Sequence, residues 1–342
     1  MKILIVGGNF GENPKQSSII RKFGNHFHNH ITFKGGECTV INSGTLDSLP
    51  KEIDSDLILW LPNIENEIPK QYPRKSKGNV LIVSKVIREG YSDLDAVTRI
   101  FKMHGNAVIA IYKEDQFRFK LIDALGNVWY NGNDLKGLYH KIINFYDFTK
   151  KSIRIGSVKS DITPPIVNDD LDEFIDVNKS LAQYIQTSCG ERFFGNLSTR
   201  CSKLFPAMKN ESGMFVSPRN VDKEAITSND MVYCEEGDNV IKYAGNHKPS
   251  VDSPIQLRVY SSCENINYLI HGHAFIKNAV ETSEYFVCGD LREAKEVISI
   301  IGTDRGGAIN LKNHGFLLYS DTLDKMKEII KGLEFTYERK SL

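Results

Sequence analysis

Residues Asn265–Ile276 read NINYLIHGHAFI, an apolar run that carries two histidines two positions apart. Side chains alternate between the faces of a strand, so His271 and His273 project to one side, where two imidazoles can share one ion. Zinc accepts neutral imidazole nitrogen at about 2.0–2.1 Å, and a catalytic site needs three protein ligands with a fourth position open. Alone, the spacing serves two readings, a metal pair or two hydrogen-bonded histidines at a core edge. A third ligand decides between them, and His314 is the candidate. In Ala308–Tyr319, AINLKNHGFLLY, one apolar strand halts at Asn313-His314-Gly315 and another follows, with the glycine permitting a sharp turn.

Around this segment short strands are bracketed by two predicted helices, Asp172–Thr187 closed by Gly190 and Leu323–Phe335. Upstream, Lys150–Asp170 mixes lysines, Pro164-Pro165 and consecutive aspartates, and reads as a linker between domains 1–150 and 151–342. Residues 1–150 have a different rhythm. KILIVGG, a helical stretch near Ser17–His28, CTVINS, DLILWLP, NVLIVSKV, a helix near Leu94–Met103 and NAVIAIY alternate strand with helix. This predicts an α/β doubly wound domain, flavodoxin-like or Rossmann-like, with a parallel sheet between helices. A hairpin turning near Gly126-Asn127 and a helix over Leu135–Phe145 complete it. Gly8 and Gly11 are spaced like two glycines of a dinucleotide fingerprint, but Val6 stands where the first belongs and CTVINS ends without a ribose-binding acid. A tight turn without a cofactor is the expectation here. Nucleotide binding, extension of the substrate site and assembly stay open as roles for this domain.

With 342 residues the chain is long enough for two cores. Forty-three basic and forty-three acidic residues cancel, so no global field draws it to nucleic acid or an anionic membrane, while a small neutral or anionic ligand is compatible. The six cysteines, Cys38, Cys189, Cys201, Cys234, Cys263 and Cys288, form no CxxC pair and read as reduced, buried or incidental thiols. The opening apolar run is too short for a signal peptide core or a membrane span, so a soluble cytoplasmic protein is expected.

Five blocks then occur in order: FFGNLSTR at 193–200, MFVSPRNVDKEAITSNDMVYCE at 214–235, KPSVDSPIQLRVY at 248–260, INYLIHGHA at 266–274 and LKNHGFLLY at 311–319. Their succession resembles the class II aldolase/adducin family over about half of the chain. The resemblance implies an α/β/α domain on a central, largely antiparallel sheet, with a divalent metal, usually zinc, on His271, His273 and His314. It implies acid/base duty for Asp252, in KPSVDSP, where a helix cap before Pro254 is the competing reading. Gly195, Asn196, Ser217, Arg219 and Ser250 fall in segments that hold the phosphate of a family substrate. Arg219-Asn220 replaces the usual Thr-Gly pair and Val251 the usual second serine, which points to an altered anion site. Tyr337, in the C-terminal tail, matches by position a tyrosine that some members contribute to catalysis. Between His273 and His314 the chain is shorter than sugar-phosphate enzymes of this kind, and Glu284 and Tyr285 are expected in a plain surface loop. The implied activity is metal-dependent cleavage of a carbon–carbon bond in a phosphorylated or anionic sugar, in a homo-oligomer, with a tetramer among the states the resemblance allows. Sugar-phosphate 4-epimerisation, suggested by aspartate rather than glutamate at 252, and a non-catalytic adducin-like binding module are the alternatives.

Overall fold

The computed structural model describes residues 1–64, 78–113, 116–163, 169–204 and 213–339. Pro164-Pro165 and the end of the C-terminal tail, 340–342, lie outside the described residues. The chain divides into unit 1, Met1–Lys151, and unit 2, Ser152–Arg339.

Unit 1 contains strands β1 (Lys2–Phe10), β2 (Glu37–Gly44), β3 (Leu57–Ile64), β4 (Val80–Ile87), β5 (Ala107–Lys113), β6 (Phe117–Asp123) and β7 (Val128–Gly132). Its helices are α1 (Ser18–Phe33), α2 (Asp93–Met103) and α3 (Leu135–Lys150). The strands make one sheet in the order β2-β1-β3-β4-β5-β6-β7. The pairs from β2 to β5 are parallel, and the β5–β6 and β6–β7 pairs are antiparallel. Valine and isoleucine runs such as Val80–Val83 are fully buried, as strands covered on both faces require. Asp134 starts α3 by accepting from the Lys136 and Gly137 amides at 3.1 and 2.7 Å. The hairpin β6–β7 turns through Gly126 at φ +86°, a conformation open to glycine.

Unit 2 contains β8 (Gly156–Lys159), β9 (Ser188–Cys189), β10 (Arg192–Phe193), β11 (Asn196–Arg200), β12 (Met214–Val216), β13 (Val232–Glu236), β14 (Val240–Ala244) and β15 (Tyr268–Gly272). It continues with β16 (Phe275–Ile276), β17 (Val280–Glu281), β18 (Gly306–Leu311), β19 (Gly315–Ser320) and β20 (Phe335–Thr336). Its helices are α4 (Asp169–Ala182), α5 (Cys201–Leu204), α6 (Ser253–Ser262), α7 (Leu291–Ile301) and α8 (Leu323–Lys331). Nine strands pair in the order β17-β18-β19-β15-β11-β12-β13-β14-β8, parallel only at β14–β8 and β17–β18. Alternation along the strands feeds two cores. Ile270 and Leu318 pack with Leu171, Phe174 and Met326 of α4 and α8. Leu269, Leu317 and Tyr319 pack with Leu257, Tyr260, Val297 and Ile301 of α6 and α7. Each fully buried leucine or isoleucine contributes about 1.5–3 kcal/mol.

Two helices are shorter than the sequence pattern predicts. α4 stops at Ala182 rather than Thr187, because Ser188–Phe193 is claimed by a hairpin; Gly190, at φ +58°, turns that hairpin and does not cap the helix. α8 stops at Lys331 before Gly332, and Phe335 instead pairs with Ile276 in a two-stranded ladder. The surface-loop expectation holds for Glu284 but fails for Tyr285, which is buried beside Phe286.

Candidate metal centre

β15 lies between β11 and β19, with His271 opposite Asn196 on one side and Leu317 on the other. The strand ends at Gly272, so His273 sits in the bend that follows it. His314 comes from the turn between β18 and β19, where Asn313 at φ +54° reverses the chain and the His314 amide donates to the Leu311 carbonyl at 2.9 Å. That turn is pressed onto the bend. A Cβ on Gly315 would stand 2.0 Å from the Gly272 carbonyl oxygen, so only glycine fits. Gly195 is constrained in the same way: its φ is +74°, and a Cβ there would meet the His271 carbonyl at 2.5 Å.

The three imidazoles converge as a result. Their ring centroids are 4.8–5.6 Å apart, and one ligand nitrogen from each lies within 4.8 Å of the others. His271 Nδ1 is 2.8 Å from the Phe316 carbonyl, which accepts its proton and leaves the lone pair on Nε2. That Nε2 is buried and, among the described residues, has no hydrogen-bond partner. A buried polar atom left unpaired is costly, and a cation would satisfy it. His314 Nδ1 is held at 3.0 Å by the Glu293 carboxylate, directing its Nε2 lone pair the same way. Such outer acceptors fix ring orientation and raise ligand basicity. His273 stacks on Phe194 at 4.9 Å. The donor set therefore suits a divalent metal, and no ion contributes to the geometry described.

Burial and the neighbouring His314 push the His271 pKa down to about 4, and burial with His271 and His314 holds His273 well below its usual range, so both rings are neutral ligands at pH 7. Burial opposes an imidazolium at His314, but Glu293 and Cys288 outweigh it, while burial raises Glu293. Binding a cation would require His314 to give up its Nε2 proton while Nδ1 keeps its contact with Glu293.

Asp252 is the N-cap residue of α6, its carbonyl accepting from the Gln256 amide at 3.1 Å, but its carboxylate accepts no bond from the helix amides. Its Oδ2 accepts from Asn196 Nδ2 at 3.0 Å and its Oδ1 from the Gly289 amide at 2.8 Å. Asp252 thus holds the cap position, while its carboxylate is given to Asn196 and Gly289 rather than to the helix amides. Gln256 Nε2 donates in turn to Asn196 Oδ1, completing a chain from α6 to the strand beside His271. A bridge between Pro218 and Pro249, with the Arg219 amide donating to the Lys248 carbonyl at 2.9 Å, carries the Ser217–Asn220 turn to Ser250 and Asp252. Arg219 is exposed. Partial desolvation of its guanidinium end lowers its pKa, and the Asp252 carboxylate opposes this. Ser217 is fully buried, and its Oγ accepts from the Leu197 amide at 3.2 Å. Tyr337 is half-exposed, its hydroxyl accepting from the Gln186 amide at 2.6 Å.

Sequence reasoning missed Glu293 and Cys288, both on the path to His314. Glu293 was legible in principle, since it shares the buried stripe of α7 with Ala294, Val297 and Ile301. An acid on an apolar stripe signals a buried partner.

Residues 173–280 match the family described as "Class II Aldolase and Adducin N-terminal domain". Among solved structures, an L-fuculose 1-phosphate aldolase is similar at 22% identity, covering 48% of this chain and 82% of its own, with a TM-score of 0.38. A sugar-phosphate aldolase from Thermotoga maritima is similar at 11% identity, over 48% of this chain and 89% of its own, with a TM-score of 0.38. The N-terminal class II aldolase domain of a conserved protein from Thermoplasma acidophilum is similar at 15% identity, over 51% of this chain and 96% of its own, with a TM-score of 0.35. No curated protein matches the chain.

Proposed function

Because residues 173–280 carry a class II aldolase and adducin domain, we propose that unit 2 is a zinc-dependent lyase that cleaves a carbon–carbon bond in a phosphorylated or otherwise anionic sugar. The observation that carries this reading is the buried, unpartnered Nε2 of His271 within reach of the His273 and His314 nitrogens, next to the Asn196–Asp252 pair. When bound, a divalent cation supplies a Lewis acid for the substrate's oxygens. His271 and His314 present lone pairs fixed by Phe316 and Glu293. Asp252, oriented by Asn196 and Gly289, moves the proton that the departing or returning carbon needs. Arg219, with Ser250 and the Gly195-Asn196 turn, forms the anion end of the site, and Ser217 supports that turn by holding the Leu197 amide. Tyr337 closes the tail side. Aspartate at 252 favours, as a second reading, epimerisation by the same cleavage and re-addition.

For unit 1 we infer a doubly wound sheet. Val6, Trp60, Val83 and Ala110 share a core with α2. Gly7, one residue out of phase, faces Ile20 of α1, so α1 and α2 cover opposite faces.

Metal analysis of untagged protein tests the main reading. Near-stoichiometric zinc is expected, lost in His271→Ala with His273→Ala; metal-free wild-type protein sinks it. Asp252→Ala should keep most of the metal and lose about 10² to 10⁴ in turnover on whichever sugar phosphate is cleaved. Undiminished turnover would remove Asp252 from the chemistry.

A further inference from the structure

Cys288 lies in the turn just before α7 and has no role in the proposed reaction above. Its Sγ is 3.4 Å from Nε2 of His314. That nitrogen is the one left for a ligand, because Nδ1 is committed to Glu293. Two ligands of one tetrahedral zinc, a nitrogen at about 2.0–2.1 Å and a sulfur at about 2.3 Å, lie roughly 3.5 Å from each other. The sulfur therefore already stands at ligand-edge distance on the His314 side of the cluster.

The turn that carries it is pinned. The Gly289 amide donates to Asp252 Oδ1 at 2.8 Å, and Gly289 at φ +76° packs so closely that a Cβ would meet Val251 at 2.8 Å. Asp290, fully buried, caps α7 through the Arg292 amide and receives the Ile153 amide at 3.2 Å. A second, independent observation points to a ligand in the same place. His271 is 5% exposed, and its Nε2 has no partner among the described residues. A thiol against one lone pair and an orphaned lone pair facing the same cluster are what a four-donor site presents without its ion.

We propose that Cys288 is a fourth protein ligand of the cation, closing the three-histidine site when no substrate is bound and yielding its position to a substrate oxygen. This rests on the reading of the triad as a metal centre. On binding, the Cys288 thiol gives up its contact with His314 and releases its proton to solvent. A metal–sulfur bond forms, the cation's charge is reduced by one, and no oxidant or reductant takes part.

Cobalt(II) titrated into metal-free full-length protein tests this, because a thiolate ligand adds a near-ultraviolet charge-transfer band to the visible bands of tetrahedral cobalt. The wild type should show both. Cys288→Ala should keep the visible bands, lose the ultraviolet band, bind cobalt about tenfold or more weakly, and release about one proton fewer per ion. Cys288→Ser, nearly isosteric, controls for folding and should also lack the ultraviolet band. Wild-type protein with the visible bands but no charge-transfer band would overturn the proposal and leave the metal centre standing. A band that persists in Cys288→Ala would overturn it too, by assigning the sulfur elsewhere. No cobalt binding at all would overturn the metal centre itself and this ligand with it.

Discussion

Lys223 is 3% exposed, and its ammonium donates to the Val221 carbonyl. Burial pulls its pKa down to about 8, whereas an unfolded lysine titrates near about 10.4. Below pH 8 the folded chain buries a charge at a cost. Between about 8 and 10.4 the unfolded chain holds a proton that the folded chain lacks, so this group's contribution to stability rises with pH. Lys223→Met should therefore stabilise the protein at pH 7 by about 1–3 kcal/mol in urea unfolding, and the gain should vanish above pH 10. A variant that is less stable at pH 7 would show that the hydrogen bond to Val221 outweighs desolvation. Residue-level chemistry was legible in the sequence where spacing encodes geometry. His271 lies on a strand as alternation predicts, His273 falls in the bend just past the strand end but still joins it, and His314 follows from a glycine turn between apolar runs. Glu293 was legible as an acid on an apolar stripe, but its partner was not, and Cys288 was hidden altogether, because each acts on His314 from a remote segment and no local spacing records a contact across twenty or more positions.

At the scale of elements, α7 depends on the residue that caps it. Asp290 accepts from the Arg292 amide, receives Ile153 and pairs with the Arg292 guanidinium at 2.5 Å while fully buried. Asp290→Ala should cost about 2 kcal/mol or more, from the lost cap and the amides left unpaired. Urea unfolding checks the cost, and because α7 carries Glu293, zinc affinity should fall with it. Unchanged affinity would separate the helix start from the metal centre. Helix existence was readable from apolar periodicity, but helix ends were not. α4 stops early because Ser188–Phe193 folds on itself as a hairpin, and α8 because Phe335–Thr336 pairs with Phe275–Ile276, so strand pairing overrides local propensity.

For the whole molecule, two units with separate hydrophobic clusters follow from a sequence whose strand–helix rhythm changes near Lys150. The change was visible as composition, and the seven-stranded order of unit 1 was not, since pairing partners leave no mark in a single chain. Among the described residues no helix is long and apolar enough to cross a membrane. Sedimentation of active protein should show a homo-oligomer; activity in a monomer would contradict that expectation.

The seat of Gly315 against Gly272 joins a strand end to a distant hairpin turn through backbone alone, with no side chain between them. An ion shared by His271, His273 and His314 would rivet that seam, and anything that binds only the native state raises its melting point. Calorimetry should then report site occupancy directly: the unit 2 endotherm moves down on dialysis against a chelator and returns with added zinc. In cells starved of the metal, this protein would lose heat resistance together with turnover.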